Sequence, residues 1–203
     1  MGSILTMLGT YIVTALVLIS AENIVFARAV GFSRIISLAD NVTSTVIFCS
    51  LLSITTTLSS IIYYYVYHLY IENSPYILIA RVFATVLTIS VSYMLVFIVA
   101  IKVMPYEHIG KAVEAMPTAT FNCMVFSVVM ASGLEQFTIV QTIIFSVASS
   151  IGYTLSILYV IEVQRKLQSR DIPAAFKGLP ITLLYLAGLA MAIYGLTGRV
   201  FSL

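Results

Sequence analysis

The sequence predicts an all-α polytopic membrane protein: six transmembrane helices forming a 3+3 inverted repeat, with helices 1 and 4 interrupted. Three observations lead there. Only 9% of the 203 residues are charged and 61% are hydrophobic, with a mean hydropathy of +1.08. Soluble domains carry about 25% charged residues, so lipid must be the solvent for this surface. Six apolar segments have the length a membrane demands, since a helix needs roughly 20 apolar residues to cross the hydrocarbon core. Two of those segments also align with each other at a fixed offset. Almost nothing is left for a soluble domain, so residues 1–203 read as one transmembrane domain with halves at about 1–105 and 106–203.

Segment one is Ile4–Ala21. It lacks a basic leader, and its apolar run exceeds the 7 to 15 residues of a signal-peptide core, so it reads as a span. Met1-Gly2-Ser3-Ile4-Leu5-Thr6 formally matches a myristoylation pattern, but a lipid anchor adds nothing to a chain with six spans. The stretch that follows is unusual: Glu22, Asn23 and Arg28 punctuate an otherwise apolar run that ends on Gly31-Phe32-Ser33. Neither a surface loop nor a plain membrane helix looks like this. We read Glu22-Asn23 as tying down the end of a broken helix, with Arg28 as a partner for Glu22 and Gly31 permitting close backbone approach.

Segments two and three are Val42–Tyr67 and Ile77–Val103. At the end of segment two and just beyond it, Tyr63 to Tyr70 hold five tyrosines and His68, the composition of a membrane interface. Segment four, Pro117–Leu134, opens within Met116-Pro117-Thr118-Ala119-Thr120-Phe121-Asn122-Cys123, a second polar interruption carrying an Asn. Irregular backbone at membrane depth survives only where protein buries it or a cavity lies beside it. The simpler reading is that Glu22-Asn23 and Thr120–Asn122 merely mark helix ends at the headgroups. Segments five and six are Phe137–Val163 and Leu179–Thr197.

Charge sets the orientation. Of ten Lys and Arg residues, eight (Arg28, Arg34, Lys102, Lys111, Arg165, Lys166, Arg170 and Lys177) fall in the odd-numbered connections, and only Arg81 and Arg199 fall on the other side. Lys and Arg accumulate in cytoplasmic loops, which puts both termini on the outer face. The sequon Asn41-Val42-Thr43 then lies towards the cytoplasm and is discounted.

The repeat is modest but consistent. Ile47-Phe48 matches Ile144-Phe145 and Thr57-Leu58-Ser59 matches Thr154-Leu155-Ser156, both at an offset of 97, while Asn23 and Asn122 are 99 apart. Three spans per half place the halves in opposite orientation, an arrangement that brings two broken helices together near the midplane.

At these residues the chain resembles a known family, the paired six-helix membrane subunits of the Rnf and Na⁺-NQR respiratory complexes. Glu22-Asn23 with the run to Gly31, Thr120-Phe121-Asn122-Cys123, and Asp171-Ile172-Pro173 through Lys177-Gly178 resemble its first-helix, fourth-helix and pre-sixth-helix motifs. The likeness covers essentially the whole chain. It implies a bacterial inner-membrane protein paired with a homologous six-helix subunit of opposite topology, beside flavin and iron–sulfur subunits. It also implies a two-iron, two-sulfur cluster held by cysteines from both homologous subunits, through which single electrons pass, coupled to sodium or proton movement. The second-repeat ligand is present as Cys123; at the first-repeat position stands Ser33. A hydroxyl is a hard, weak ligand for iron beside thiolate, so a conventional cluster is expected to bind weakly or not at all, with serine ligation as the alternative. Cys49, within segment two, is expected to be a packed small hydrophobe.

No nucleotide fingerprint, Ser-His-Asp set or paired metal motif is present, and His68 and His108 lie in different connections. The chain is expected to catalyse nothing alone and to bind no nucleic acid. The alternative is a divergent relative without the cluster, serving as a small-solute or ion transporter lined by Glu22, Asn23 and Asn122, or in a purely structural role.

Overall fold

A computed structural model describes residues 9–15, 42–72, 75–103, 106–135, 137–168, 173, 176 and 178–197. Residues 9–15, inside the first apolar segment, are helical and form α1. Then follow α2 (Val42–Val66), α3 (Ile77–Val103), α4 (Tyr106–Thr120), α5 (Cys123–Leu134), α6 (Ile139–Gln168) and α7 (Leu179–Thr197). No strand occurs among the described residues.

Among the described residues, three helical stretches are long and apolar enough to cross a membrane: Thr45–Ile71, Ile77–Val103 and Ile139–Val163. The bent pair Ile109–Thr120 and Cys123–Leu134 makes a fourth if counted as one span. The apolar part of α7, Pro180–Ala192, is shorter. Segment boundaries differ from expectation in two places. The second segment does not stop at Tyr67 but runs on as a π-helical turn, Tyr67–Ile71. The fourth does not begin at Pro117: helix α4 starts at Tyr106 and carries Pro117 inside it, one turn before its end. Glu107, Lys111 and Glu114 make the first half of α4 look like a loop on a hydropathy scale, although it is helical.

Helix α2 is the hub, packing against α3, α4, α5 and α6, while α7 docks on α6. Phe48 and Leu52 of α2, Met116 of α4, Met124, Val125, Val128 and Val129 of α5, and Tyr153 and Ile157 of α6 are fully enclosed. Helix α3 buries one stripe, Ala84, Thr85, Thr88, Ile89, Ser92 and Val96, at the three-to-four spacing of a helix face. Its opposite face is equally apolar and exposed, with Leu78, Val82, Phe83, Leu87, Met94 and Val99. A helix apolar all round belongs in a protein core or in lipid.

The helix contacts are rich in buried hydroxyls, and many of these bond to the backbone of the preceding turn. Thr56 Oγ1 donates to the Leu52 carbonyl at 2.6 Å, Ser92 Oγ to Thr88 at 2.8 Å, Ser146 Oγ to Thr142 at 2.8 Å and Ser150 Oγ to Ser146 at 2.8 Å. Such bonds to the preceding turn let small polar residues sit between helices without an unmet donor. Gly178 is the one described glycine with positive φ, +87°, and its carbonyl accepts from Thr182 Oγ1 at 3.0 Å at the start of α7. That conformation explains a glycine at the end of the Asp171–Gly178 block.

Candidate functional site

Helix α4 stops at Thr120 and α5 starts at Cys123, with the two axes bent by 47°. Phe121 and Asn122 form the break. Asn122 adopts extended backbone, φ −106° and ψ 139°, and caps α5: its Oδ1 accepts from the Met124 amide at 3.1 Å. A helix start leaves backbone donors unpaired, and an Asn carbonyl in this position meets one of them.

The other end of the same amide is held from a different helix. Asn122 Nδ2 donates to Tyr153 Oη on α6 at 3.1 Å, and Asn122 is 8% exposed. Tyr153 therefore fixes which way the amide faces, turning Oδ1 towards the start of α5. The Cys123 thiol donates to the same Oδ1 at 3.6 Å. Cys123 is exposed, whereas Cys49 is buried in the core. Thr120, just before the break, is fully buried, and its Oγ1 has no hydrogen-bond partner among the described residues.

Beside the break lies a hollow of about 210 Å³, bounded by Thr120, Phe121, Asn122, Cys123 and Phe126 and, across from them, by Val86 and Ile89 of α3. Phe121 is exposed at 58%, its ring 5.5 Å from that of Tyr93. An exposed thiol, an amide locked by capping and a buried hydroxyl thus meet at a bent helix beside an apolar recess.

Of the residues singled out from sequence, the structure brings together Thr120, Asn122 and Cys123. Glu22, Asn23, Arg28, Gly31 and Ser33 lie outside the described residues. No group of three or more His, Cys, Asp or Glu able to hold a metal occurs among the described residues. Tyr153 escaped sequence reading because nothing in its own segment separates it from the other tyrosines. His68 is exposed, with Nδ1 3.0 Å from Glu72 Oε2 and its ring 4.6 Å from Tyr64. Tyr65 and Tyr70 of the same run are exposed, but Tyr63 and Tyr67 turn into the core.

The Rnf-Nqr subunit family of membrane proteins has a model that matches residues 11–200. Among similar curated proteins is the RnfA component of the Na(+)-translocating ferredoxin:NAD(+) oxidoreductase complex of Acetobacterium woodii, 26% identical over 89% of this chain and 93% of its own length. Another is the corresponding component of the ion-translocating oxidoreductase complex of Vibrio vulnificus, 23% identical over 94% of this chain and 98% of its own. The corresponding component of the proton-translocating ferredoxin:NAD(+) oxidoreductase complex of Clostridium ljungdahlii is 22% identical over 95% and 99%.

Proposed function

The chain belongs to the Rnf-Nqr family of membrane subunits, and from that premise we propose that it is an integral membrane subunit of an Rnf/Nqr-type ion-translocating electron-transport complex. In this reading it relays electrons across the membrane near a site shared with a homologous six-helix subunit of opposite topology. Flavin and iron–sulfur subunits of the complex bind the soluble donor and acceptor. The six spans form an inverted repeat, the first broken near Glu22–Ser33 as α4 and α5 are at Phe121–Asn122, and both termini lie on the outer face of the bacterial inner membrane.

The observation that carries this is the exposed Cys123 thiol at the start of a capped half-helix, in a chain whose family match covers nearly its whole length. The donor set of a conventional cluster does not follow from it. Iron–sulfur clusters are held by four thiolates; the break supplies one, Cys49 is buried in the core, and Ser33 stands at the second position. What the chain's own residues do is structural: Asn122 caps α5, Tyr153 orients Asn122, and together they fix the thiol beside the hollow.

The test is Ser33→Cys, co-expressed with the homologous partner. Iron content and a thiolate-to-iron absorption are expected to rise. Wild-type protein that already carries a full complement of iron, unchanged by Ser33→Cys, would show that Ser33 is not at the ligand position.

A further inference from the structure

At the end of the bundle where α2 passes into the Tyr67–Ile71 turn, two hydroxyls are buried without a close hydrogen-bond partner. Tyr63 and Thr142 are each 1% exposed; the Thr142 hydroxyl has no hydrogen-bond partner among the described residues, and the Tyr63 hydroxyl has only Thr85 near it, outside close hydrogen-bond geometry. Both line one small cavity of about 10 Å³, together with Ser132, Gly133 and His68. That volume is about one water-sized sphere. Gly133 lets the Tyr63 ring pack this close: a Cβ at that position would lie 2.5 Å from it. Ser132, 5% exposed, spends its own proton on the Val129 carbonyl at 2.8 Å, which leaves its oxygen free to accept.

We propose that this cavity is a binding site for a single water molecule held by Tyr63, Thr142 and Ser132. The balance of donors and acceptors closes. The water accepts from the Thr142 hydroxyl and donates one proton to Ser132 Oγ and the other to Tyr63 Oη, while the Tyr63 proton faces Thr85 Oγ1, whose own proton is spent on the Arg81 carbonyl; three bonds are the usual number for a buried water. The water links α2, α5 and α6 at one end of the molecule, where each of the three contributes one hydroxyl. A metal cation is a poor occupant, because no carboxylate lines the cavity. A positive charge also stands close by: Arg81 donates to Tyr67 Oη at 2.8 Å, with its guanidinium 5.2 Å from the Tyr67 ring centroid. The site is independent of the electron-transfer reading.

Hydroxyl-radical footprinting of the full-length protein in lipid nanodiscs tests it, because bound water delivers radicals to the side chain it touches. Tyr153, fully buried with its hydroxyl accepting from Asn122, is the internal control. The expected result is that Tyr63 is modified several-fold faster than Tyr153. Thr142→Val is expected to lower both that rate and the Tm. Equal protection of Tyr63 and Tyr153 would overturn the proposal. So would a higher Tm for Thr142→Val, which is what removing an orphaned hydroxyl from a dry cavity produces. A Tm that rises with sodium relative to choline in wild type but not in Thr142→Val would assign the cavity to a cation and overturn it as well.

Discussion

Asn122 concentrates the energetics of the break in one side chain. Its carbonyl caps α5 and its amino group meets Tyr153, so two unrelated constraints agree on one orientation. Removing the cap by Asn122→Ala is expected to cost about 1 kcal/mol. Tyr153→Phe leaves a buried Nδ2 without an acceptor, at a cost of about 1–3 kcal/mol. The double variant should fall short of the sum, because each change removes the same bond. Thermal unfolding in detergent measures all three, and strict additivity would show that the Asn122–Tyr153 bond contributes nothing. Gly133→Ala is a separate case: the new methyl meets the Tyr63 ring at 2.5 Å, an overpacking that costs about 1–3 kcal/mol. Gly110→Ala, with open space around it, is the matched control. At this scale Asn122 and Cys123 were legible in the sequence, because an Asn inside an apolar segment needs a reason. Tyr153, Gly133 and the Arg81–Tyr67 pair were not, since a sequence does not state which helices touch.

Among the elements, the ends of helix α3 are legible in the sequence and those of α4 are not. The difference lies in charge. Ile77–Val103 has polar residues only where hydropathy tolerates them, whereas α4 begins with Glu107, Lys111 and Glu114 and becomes apolar only towards Pro117. Pro117 opens the apolar stretch but not the helix: inside α4 it removes one i→i−4 bond and crowds the preceding turn, and α4 ends one turn later. The uniformly apolar outer face of α3 supports a sharp expectation. Leu87→Lys places a charge there at a cost of about 2.5–3.5 kcal/mol for membrane insertion near a helix centre. Reduced membrane-inserted yield, read by carbonate extraction, is the expected outcome; unchanged yield would mean that this face is not in lipid. At α7, Gly178→Ala forces a Cβ onto a residue with φ +87°, and strain of that kind costs about 1–3 kcal/mol. Loss of thermal stability should follow, whereas an unchanged Tm would show that the segment before α7 relaxes freely.

For the whole molecule, composition alone was enough to identify a membrane protein, because so few charges cannot cover a surface in water. The helical class and the break in the fourth segment are seen directly, and the family match covers residues 11–200. The pairing of the first segment with the fourth rests on Glu22, Asn23, Gly31 and Ser33, which lie outside the described residues; the sequence argues for it through offsets of 97 and 99 residues. The orientation rests on the eight-to-two division of Lys and Arg. A C-terminal reporter active on the outer face is expected, and one active in the cytoplasm would reverse the orientation. The central claim is that this chain works inside an Rnf/Nqr-type redox complex and not alone. Affinity purification of the tagged chain from its native membranes in mild detergent, followed by mass spectrometry, tests that most directly. The expected result is stoichiometric recovery of a homologous six-helix subunit together with flavin-bearing and iron–sulfur subunits. Recovery of this chain by itself, or as a homo-oligomer free of redox subunits under conditions that preserve such complexes, would contradict it.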